Sequence, residues 1–455
     1  MDMVIMHYFL GFPPYRSGGL TKYCMDLMEE QRNHGDEVIA LWPGQILSIS
    51  KKLRIIRRKS IKKIKNYELI NPLPISLDEG IKDVEAYTKS CDQEVYRKFL
   101  EEIKPDIIHI HTLMGLHNEF LKIVKELKIK VIFTSHDFFG ICPKVTLYKN
   151  GEVCIEDHQC RDCVECNRTA LSLKKIKIMQ SIFYRSLKES FLVKKIRKKH
   201  REEFFIEDIP KKNLLNKKEK GRKIKEYKRL RSYYIKMLQN MDLIHFNSSM
   251  TKEIYKKYFE LPKSKVVTIS HKNVMNQQND KKNEKNEKLR ITCLAPARPS
   301  KGYNILIGAL DELWYKGNKS FNLTMFNIVP DRRPYLKVIK AGFTQSDLPG
   351  IMSNTDVLIA PSVGYDTFGF TVLEALSYGI PVIVSDHVGA KDIVGKSGVV
   401  VKAGSLNELK IEIETLIAYP EKLMKLRQEA MKNKIKIWEQ FVEENYQMYD
   451  ELIKY

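Results

Sequence analysis

Short apolar runs alternate with segments of helical periodicity in two separate parts of this chain, and that alternation constrains the fold more than any other feature. Residues 3–10 are apolar and run into Gly18-Gly19, after which Leu20, Tyr23, Cys24, Leu27 and Met28 recur at helical spacing until Gly35 stops them. Residues 38–42, 107–111 and 131–135 read as further strands, with helices over 94–103 and 119–127 between them. Crossovers that join strand to strand through a helix imply a parallel sheet covered on both faces.

After Asp137 the rhythm breaks, then resumes with strands over 243–246 and 266–269. Residues 276–288 (NQQNDKKNEKNEK) are polar and low in complexity, as in a linker. A second alternation follows, with strands over 289–294, 323–326, 356–360, 381–385 and 399–402, and a closing helical segment over 433–453. At 455 residues the chain is too long for one ordinary core, and it has no repeat of solenoid period. The expected fold class is α/β, with two Rossmann-like doubly wound domains facing a cleft. The expected boundaries are 1–275 with a basic helical insert over about 170–237, a linker 276–288, a second domain 289–432, and a helix 433–455 packing back on the first domain.

Charge is concentrated. Residues 51–65 carry nine basic side chains and no acid, and residues 174–236 carry a net +16. Together they exceed the +22 of the whole chain, so the remainder is close to neutral. No run of eighteen apolar residues suggests a spanning helix, and residues 3–10 lack the flanks of a secretory signal, so a cytoplasmic location is expected.

One segment of the second domain carries recognisable chemistry. Asp366-Thr-Phe-Gly-Phe-Thr-Val-Leu-Glu374 sets two carboxylates across a strand-to-helix turn. Gly369 permits close backbone approach, and the amides of Phe370, Thr371 and Val372 at the helix start suit a phosphate. The carboxylates would accept hydrogen bonds from sugar hydroxyls. Taken alone, Glu374 is also compatible with a solvated helix face.

Pro361-Ser362, Asp366, Phe368-Gly369, Glu374-Ala375, Gly379, Pro381-Val382 and Gly389 together resemble the signature of retaining glycosyltransferases of the GT-B fold, the group 1 or family-four class. The family usually has Glu where this chain has Asp366. In the first domain, Pro13-Pro14 followed by Ser17-Gly18-Gly19 resembles the family's Gly-rich loop beside the donor diphosphate, and 35–38, 106–111 and 134–137 resemble further landmarks in order.

That resemblance implies roles for particular residues. Lys301, in Lys301-Gly302, fits the family's phosphate-binding Lys; the family's Arg falls on Pro296, with Arg298 displaced by two positions. Lys301, Arg298 and the helix-start amides would stabilise the leaving diphosphate. His136 and Asp366 would contact the sugar and Glu374 the ribose, with Gly18, Gly19, Phe368, Gly369, Phe370 and Thr371 completing the donor site. His136 ends a strand at the carboxyl edge, where ligands bind in open parallel sheets. His109 and His111 face one side of their strand, and hydrogen bonding within the fold accounts for them equally well.

Five of the eight cysteines fall within 25 residues, and Cys160, Cys163 and Cys166 are spaced like ligands. With Cys154 they could hold a structural zinc, or they could be reduced thiols without metal. In the basic insert, Ile176, Met179, Ile182, Phe183, Leu187 and Phe191 alternate with Lys and Arg, giving an apolar stripe beside a cationic face. Such a helix suits an anionic membrane surface, and solvated helices are the plainer alternative. No RNA-binding sheet motif, finger spacing or basic zipper accompanies the charge, so nucleic acid is not an expected partner.

The resulting expectation is an enzyme that moves a sugar from a nucleotide-sugar to a growing, lipid-linked cell-surface glycan with retention. It would require no catalytic cofactor and work on the inner face of the cell membrane. A sugar-nucleotide epimerase and a non-catalytic partner subunit of the same fold remain as alternatives.

Overall fold

The computed structural model describes residues 3–16, 18–47, 50–149, 151–154, 159–191, 193, 195, 216–276, 287–329 and 332–454. The first sheet contains β1 (Val4–Tyr8), β2 (Glu37–Pro43), β3 (Arg54–Ile61), β4 (Ile64–Ile70), β5 (Ile107–Ile110) and β6 (Lys130–Ser135). A small separate hairpin, β7 (Tyr148–Lys149) and β8 (Glu152–Val153), precedes the sheet's last strands, β9 (Leu243–Phe246) and β10 (Ser264–Val266). Their order is β10-β9-β6-β5-β1-β2-β4-β3, parallel throughout except for the β3/β4 hairpin. The second sheet runs β13-β12-β11-β14-β15-β16, all parallel, from β11 (Leu289–Cys293), β12 (Phe321–Phe326), β13 (Leu336–Ile339), β14 (Val357–Ala360), β15 (Val382–Ser385) and β16 (Gly398–Val401).

Both sheets reverse direction at a definite point. Strand order switches between β1 and β5 in the first and between β11 and β14 in the second. Loops leaving adjacent strands diverge there and open a crevice at the carboxyl edge. The apolar cluster containing Phe9, Phe12, Tyr23 and Leu27 of the first unit also contains Phe368, Val372 and Leu373 of the second, so the crevices face each other over a shared core. The helix Trp438–Ile453 crosses back, seating Met448, Tyr449 and Leu452 against Ile5, Ile107, Ile132 and Leu243.

Two features differ from the sequence expectation. The basic run at 51–65, to which the sequence pattern assigns no element, lies mostly in the β3/β4 hairpin. Within it Arg58 reaches the almost fully buried Glu68 at 2.7 Å, a carboxylate that also holds Arg185 at 2.7 Å and accepts from the Gln45 amide at 3.0 Å, while Lys62 and Lys65 pair with Glu29 and Glu37. The exposed lysines and arginines of β3 also discourage pairing at this sheet edge. Second, the closing helix starts at Trp438, following a separate helix Pro420–Lys432. Most of the expected linker, 277–286, lies outside the described residues.

The described part of the insert comprises the helices Leu173–Met179, Ile182–Leu187 and Lys217–Gln239. Ser172 and Ser181 cap the first two, whose break at Gln180 and Ser181 divides the expected stripe. Ile176 turns into the core, whereas Ile178, Ile182, Phe183, Leu187 and Phe191 are exposed. Among the described residues, no helix is long and apolar enough to cross a membrane.

Candidate active site

A cavity of about 300 Å³ lies where the carboxyl edges meet. One wall is formed by Gly19, Leu20, His136 and Asn247 of the first unit, the other by Leu294 to Pro296, Lys301, Ser362 and Asp366 to Val372 of the second. The loops after β11 and β14, on either side of the second switch point, therefore supply the floor.

Backbone ties bring Lys301 and Asp366 together. The amides of Val363 and Gly364 donate to Ser300 O at 3.1 and 2.8 Å, which fastens the two loops. Gly302 lies so close to Pro361 that a Cβ would stand 1.9 Å from its carbonyl oxygen, so no other residue fits there. Lys301 Nζ consequently reaches Asp366 Oδ2 at 2.7 Å. Both side chains are about 30% exposed, which limits such a pair to roughly 0–1 kcal/mol, and a diphosphate can take over the ammonium.

The helix Phe370–Ser377 begins at the cavity, with Gly369 at its N-cap in the left-handed region at φ 103°. No side chain caps this end. The Val372 amide is turned back onto Gly369 O at 3.0 Å, so Phe370 and Thr371 supply the amides that face a ligand anion. Phe368 and Phe370 pack edge-on at 5.6 Å, and Gly19 lies 4.0 Å from Phe370, measured from where its Cβ would be. Gly18 caps the helix Gly19–Asn33 but does not line the cavity.

Glu374 sits one turn further along, buried and outside the cavity lining. Its Oε1 accepts from Gln345 Nε2 at 2.7 Å and lies 3.2 Å from His271 Nε2. Both contacts fall on one oxygen, Oε1. Arg298 is also outside the lining and is directed at Asp78 of the first unit, 3.9 Å away; Pro296 occupies the wall instead.

His136 contributes to the wall from the end of β6, with Tyr23 edge-on at 4.8 Å. Burial holds its imidazole neutral, lowering its pKa to about 3. The adjacent Asp137 accepts from the Phe139 amide at 2.8 Å, and burial raises its carboxyl to about 6.

Sequence reasoning missed two residues here. Thr367 Oγ1 donates to His136 O at 2.9 Å and so bridges the cleft. Asn247 donates through Nδ2 to Ser135 O at 2.9 Å, while its buried Oδ1 has no partner among the described residues and can accept from a ligand hydroxyl. Asn247 directly follows β9, so the carboxyl-edge rule applied to His136 could have found it.

Cys160 and Cys163 are buried, with Cys154 and Cys166 partly so, and they lie apart from the cavity near Arg231 and Tyr227. Arg231 donates to Cys163 Sγ at 3.5 Å.

Comparison with known proteins agrees with this geometry. Residues 275–433 match the family model described as glycosyl transferases group 1, and residues 17–152 match glycosyltransferase family 4. An uncharacterized 42.6 kDa protein in the cps region of Klebsiella pneumoniae is 38% identical over 56 residues, which is 12% of this chain and only 15% of that protein. Sucrose-phosphate synthase from Thermosynechococcus elongatus superimposes over 99% of both chains with 13% identity and TM-score 0.55. HepE of Anabaena, solved in complex with UDP, covers 99% of this chain and 100% of its own at 13% identity and TM-score 0.58. WaaG, a glycosyltransferase involved in lipopolysaccharide biosynthesis, covers 99% of each chain at 12% identity and TM-score 0.55. With both halves matched in order and two facing parallel sheets, the chain belongs to the group 1 / family 4 glycosyltransferases and has the GT-B fold.

Proposed function

We propose that this enzyme transfers a glycosyl group from a nucleotide-sugar to a lipid-linked glycan, retaining the configuration at the anomeric carbon. The observation that carries the donor half is the convergence of Lys301, the Phe370 and Thr371 amides, Asp366, His136 and Asn247 on one cavity. Lys301 and the Phe370 and Thr371 amides would receive a leaving diphosphate, while Asp366, the His136 ring and Asn247 Oδ1 would accept from sugar hydroxyls. Preorganised donors aimed at developing charge are commonly the largest contribution to catalysis. HepE, of the same fold, was solved with UDP and glucose, which supports a nucleotide-sugar for this cavity.

The acceptor half rests on the insert. Lys188 donates to Pro14 O and Tyr15 O at 3.1 and 2.7 Å, and Arg185 lies 4.2 Å over the Tyr15 ring. The exposed Ile182, Phe183 and Leu187 are thereby fastened to the loop that leads into Gly18-Gly19. Lys174, Lys175 and Lys177 are exposed on the neighbouring helix. Apolar side chains flanked by lysines suit an anionic bilayer, where each basic residue contributes about 1 kcal/mol. Of the run at 194–199, Lys194, Arg197, Lys198 and Lys199 lie outside the described residues.

Labelled nucleotide-sugars incubated with membrane lipid extract test both halves. Label should pass into the lipid fraction, and transfer only to water would remove the lipid-linked acceptor. Sedimentation should show binding to anionic vesicles that falls as salt rises. Equal binding to neutral vesicles, or an unaffected Phe183→Ser/Phe191→Ser variant, would remove the membrane face.

A further inference from the structure

On the face of the first sheet beneath the helices Gly19–Asn33 and Trp438–Ile453, the row two residues beyond the apolar Ile5, Ile107, Ile132 and Leu243 is polar, and its groups form one continuous line. His7 on β1 is in register with His109 on β5, and Thr134 on β6 with His245 on β9. His111 and His136 stand two residues beyond His109 and Thr134, on the same face. All but His136 are buried.

The direction of every hydrogen bond in this line follows from its far end. The Val267 carbonyl can only accept, so His245 Nε2, 2.7 Å away, carries the proton. Neutral His245 then accepts at Nδ1 from Thr134 Oγ1 at 3.0 Å. The Thr134 hydroxyl has one proton, so its 2.6 Å bond to His109 Nε2 is donated by the ring. His109 Nδ1 must accept from the Tyr449 hydroxyl at 2.6 Å, and Tyr449 in turn accepts from Gln31 Nε2 at 3.1 Å. That orients the amide, so Gln31 Oε1 accepts from His7 Nε2 at 2.7 Å. His7 Nδ1 accepts from His111 Nε2 at 3.0 Å, and His111 Nδ1 accepts from His136 Nε2 at 3.3 Å. Reversing one member leaves two donors or two acceptors facing each other inside the fold, where an unmade bond is costly.

We infer that Gln31, His7 and His111 are positioning residues that hold His136 as the Nε2–H tautomer, so that its Nδ1 lone pair is what the cavity wall offers to a hydroxyl of the donor sugar. This rests on the donor-site reading for its catalytic consequence, though the tautomer itself does not. Nδ1 has no protein partner among the described residues. Ligand atoms of His7, His109 and His111 lie within 4.8 Å of one another, close enough for a metal ion. The hydrogen-bond line accounts for that proximity without one, since each nitrogen it uses has a partner.

Long-range proton–nitrogen spectra of histidine-labelled full-length protein test the tautomer directly. The five rings of the line, His7, His109, His111, His136 and His245, should each show one protonated Nε2 and one unprotonated Nδ1. An Nδ1–H signal for His136, or a stoichiometric metal bound by His7, His109 and His111 in the purified protein, would overturn the inference. For function, Gln31→Leu and His111→Phe remove the relay while keeping bulk, and each should lower sugar transfer roughly tenfold while leaving nucleoside diphosphate affinity unchanged. His111→Asn, which restores an acceptor for His136 and a donor for His7, should recover most of that loss. Equal loss in all three variants would reduce the line to structural support and overturn the positioning role. If His136→Ala transfers sugar like the wild type, the donor-site reading falls, and the spectra still decide the tautomer.

Discussion

The two sheets share a plan and bury different chemistry. In the second, the central strands are filled by Ile291, Val357, Leu358, Ile359, Ile383 and Val384, and Thr292 bonds Thr355 at 2.7 Å among them. In the first, the corresponding strands carry His7, His109, His111, Thr134 and His245. The second unit therefore presents its function from loops and a helix end on an apolar base. The first sets one wall residue, His136, through an interior polar line. A parallel sheet buried on both faces usually reads as continuous apolar sequence, so this interior departs from the common pattern.

The largest effect should come from the helix of the second unit. If Glu374 accepts from the ribose, as the family resemblance implies, Glu374→Ala removes a charge-assisted hydrogen bond worth about 1.5–3 kcal/mol and should reduce kcat/KM roughly ten- to a hundredfold. Since Glu374 also accepts from Gln345, Glu374→Gln provides a size-matched variant, and thermal melting checks the fold. Unchanged turnover in both would show that the second unit's contribution ends at its loop.

Lys301→Ala should weaken nucleoside diphosphate binding more than Arg298→Ala, measured by calorimetry, because only Lys301 lines the cavity. The reverse order would move the phosphate site toward Asp78 and the first unit.

Acid should separate the units by stability. His7 and His245 have pKa values lowered by burial to about 4 and His136 to about 3, and those of His109 and His111 lie well below the usual histidine value through burial and the neighbouring histidines. A lowered histidine pKa means the unfolded chain binds protons first, so stability is full above pH 6.5 and falls as pH drops toward 4. Each such ring can contribute up to about 1.4 kcal/mol per pH unit. Asp137 works weakly against this, because its raised pKa relieves a cost between pH 6 and 4. Hydrogen exchange on acidification should therefore open the first sheet before the second; simultaneous opening would contradict the contrast.

The smallest expected signal is compositional. If the cysteines at 154, 160, 163 and 166 bind a structural metal, elemental analysis should find close to one zinc per chain, and a value near zero removes that reading.

Much of this was legible in the sequence, for identifiable reasons. The 243–246 strand coincides with β9, and most other strand bounds agree within two residues, because buried parallel strands are short apolar runs between turn residues. β3 was lost because Arg and Lys occupy its exposed face, and β13 because Leu336–Ile339 is a half-exposed edge strand interrupted by Lys337. Lys301, Asp366 and the Phe370 helix end were readable as a local motif. The pairing of Lys301 with Asp366 is not local, and neither is the bridge from Thr367 to His136, since both depend on loops meeting across the fold. The histidine line was half visible, as a period-two pair at 109 and 111. Its continuation through Gln31 and Tyr449 joins residues 418 positions apart, which no window along the sequence contains.

The claim that the two carboxyl edges form one donor site is tested most directly by crystal structures with a panel of nucleoside diphosphates. One of them should lie with its diphosphate on the Phe370 and Thr371 amides, within hydrogen-bond distance of Lys301 Nζ, and with Lys301 released from Asp366. A nucleotide bound elsewhere, or bound in the cavity with the Lys301–Asp366 pair intact and the helix-end amides untouched, would contradict it.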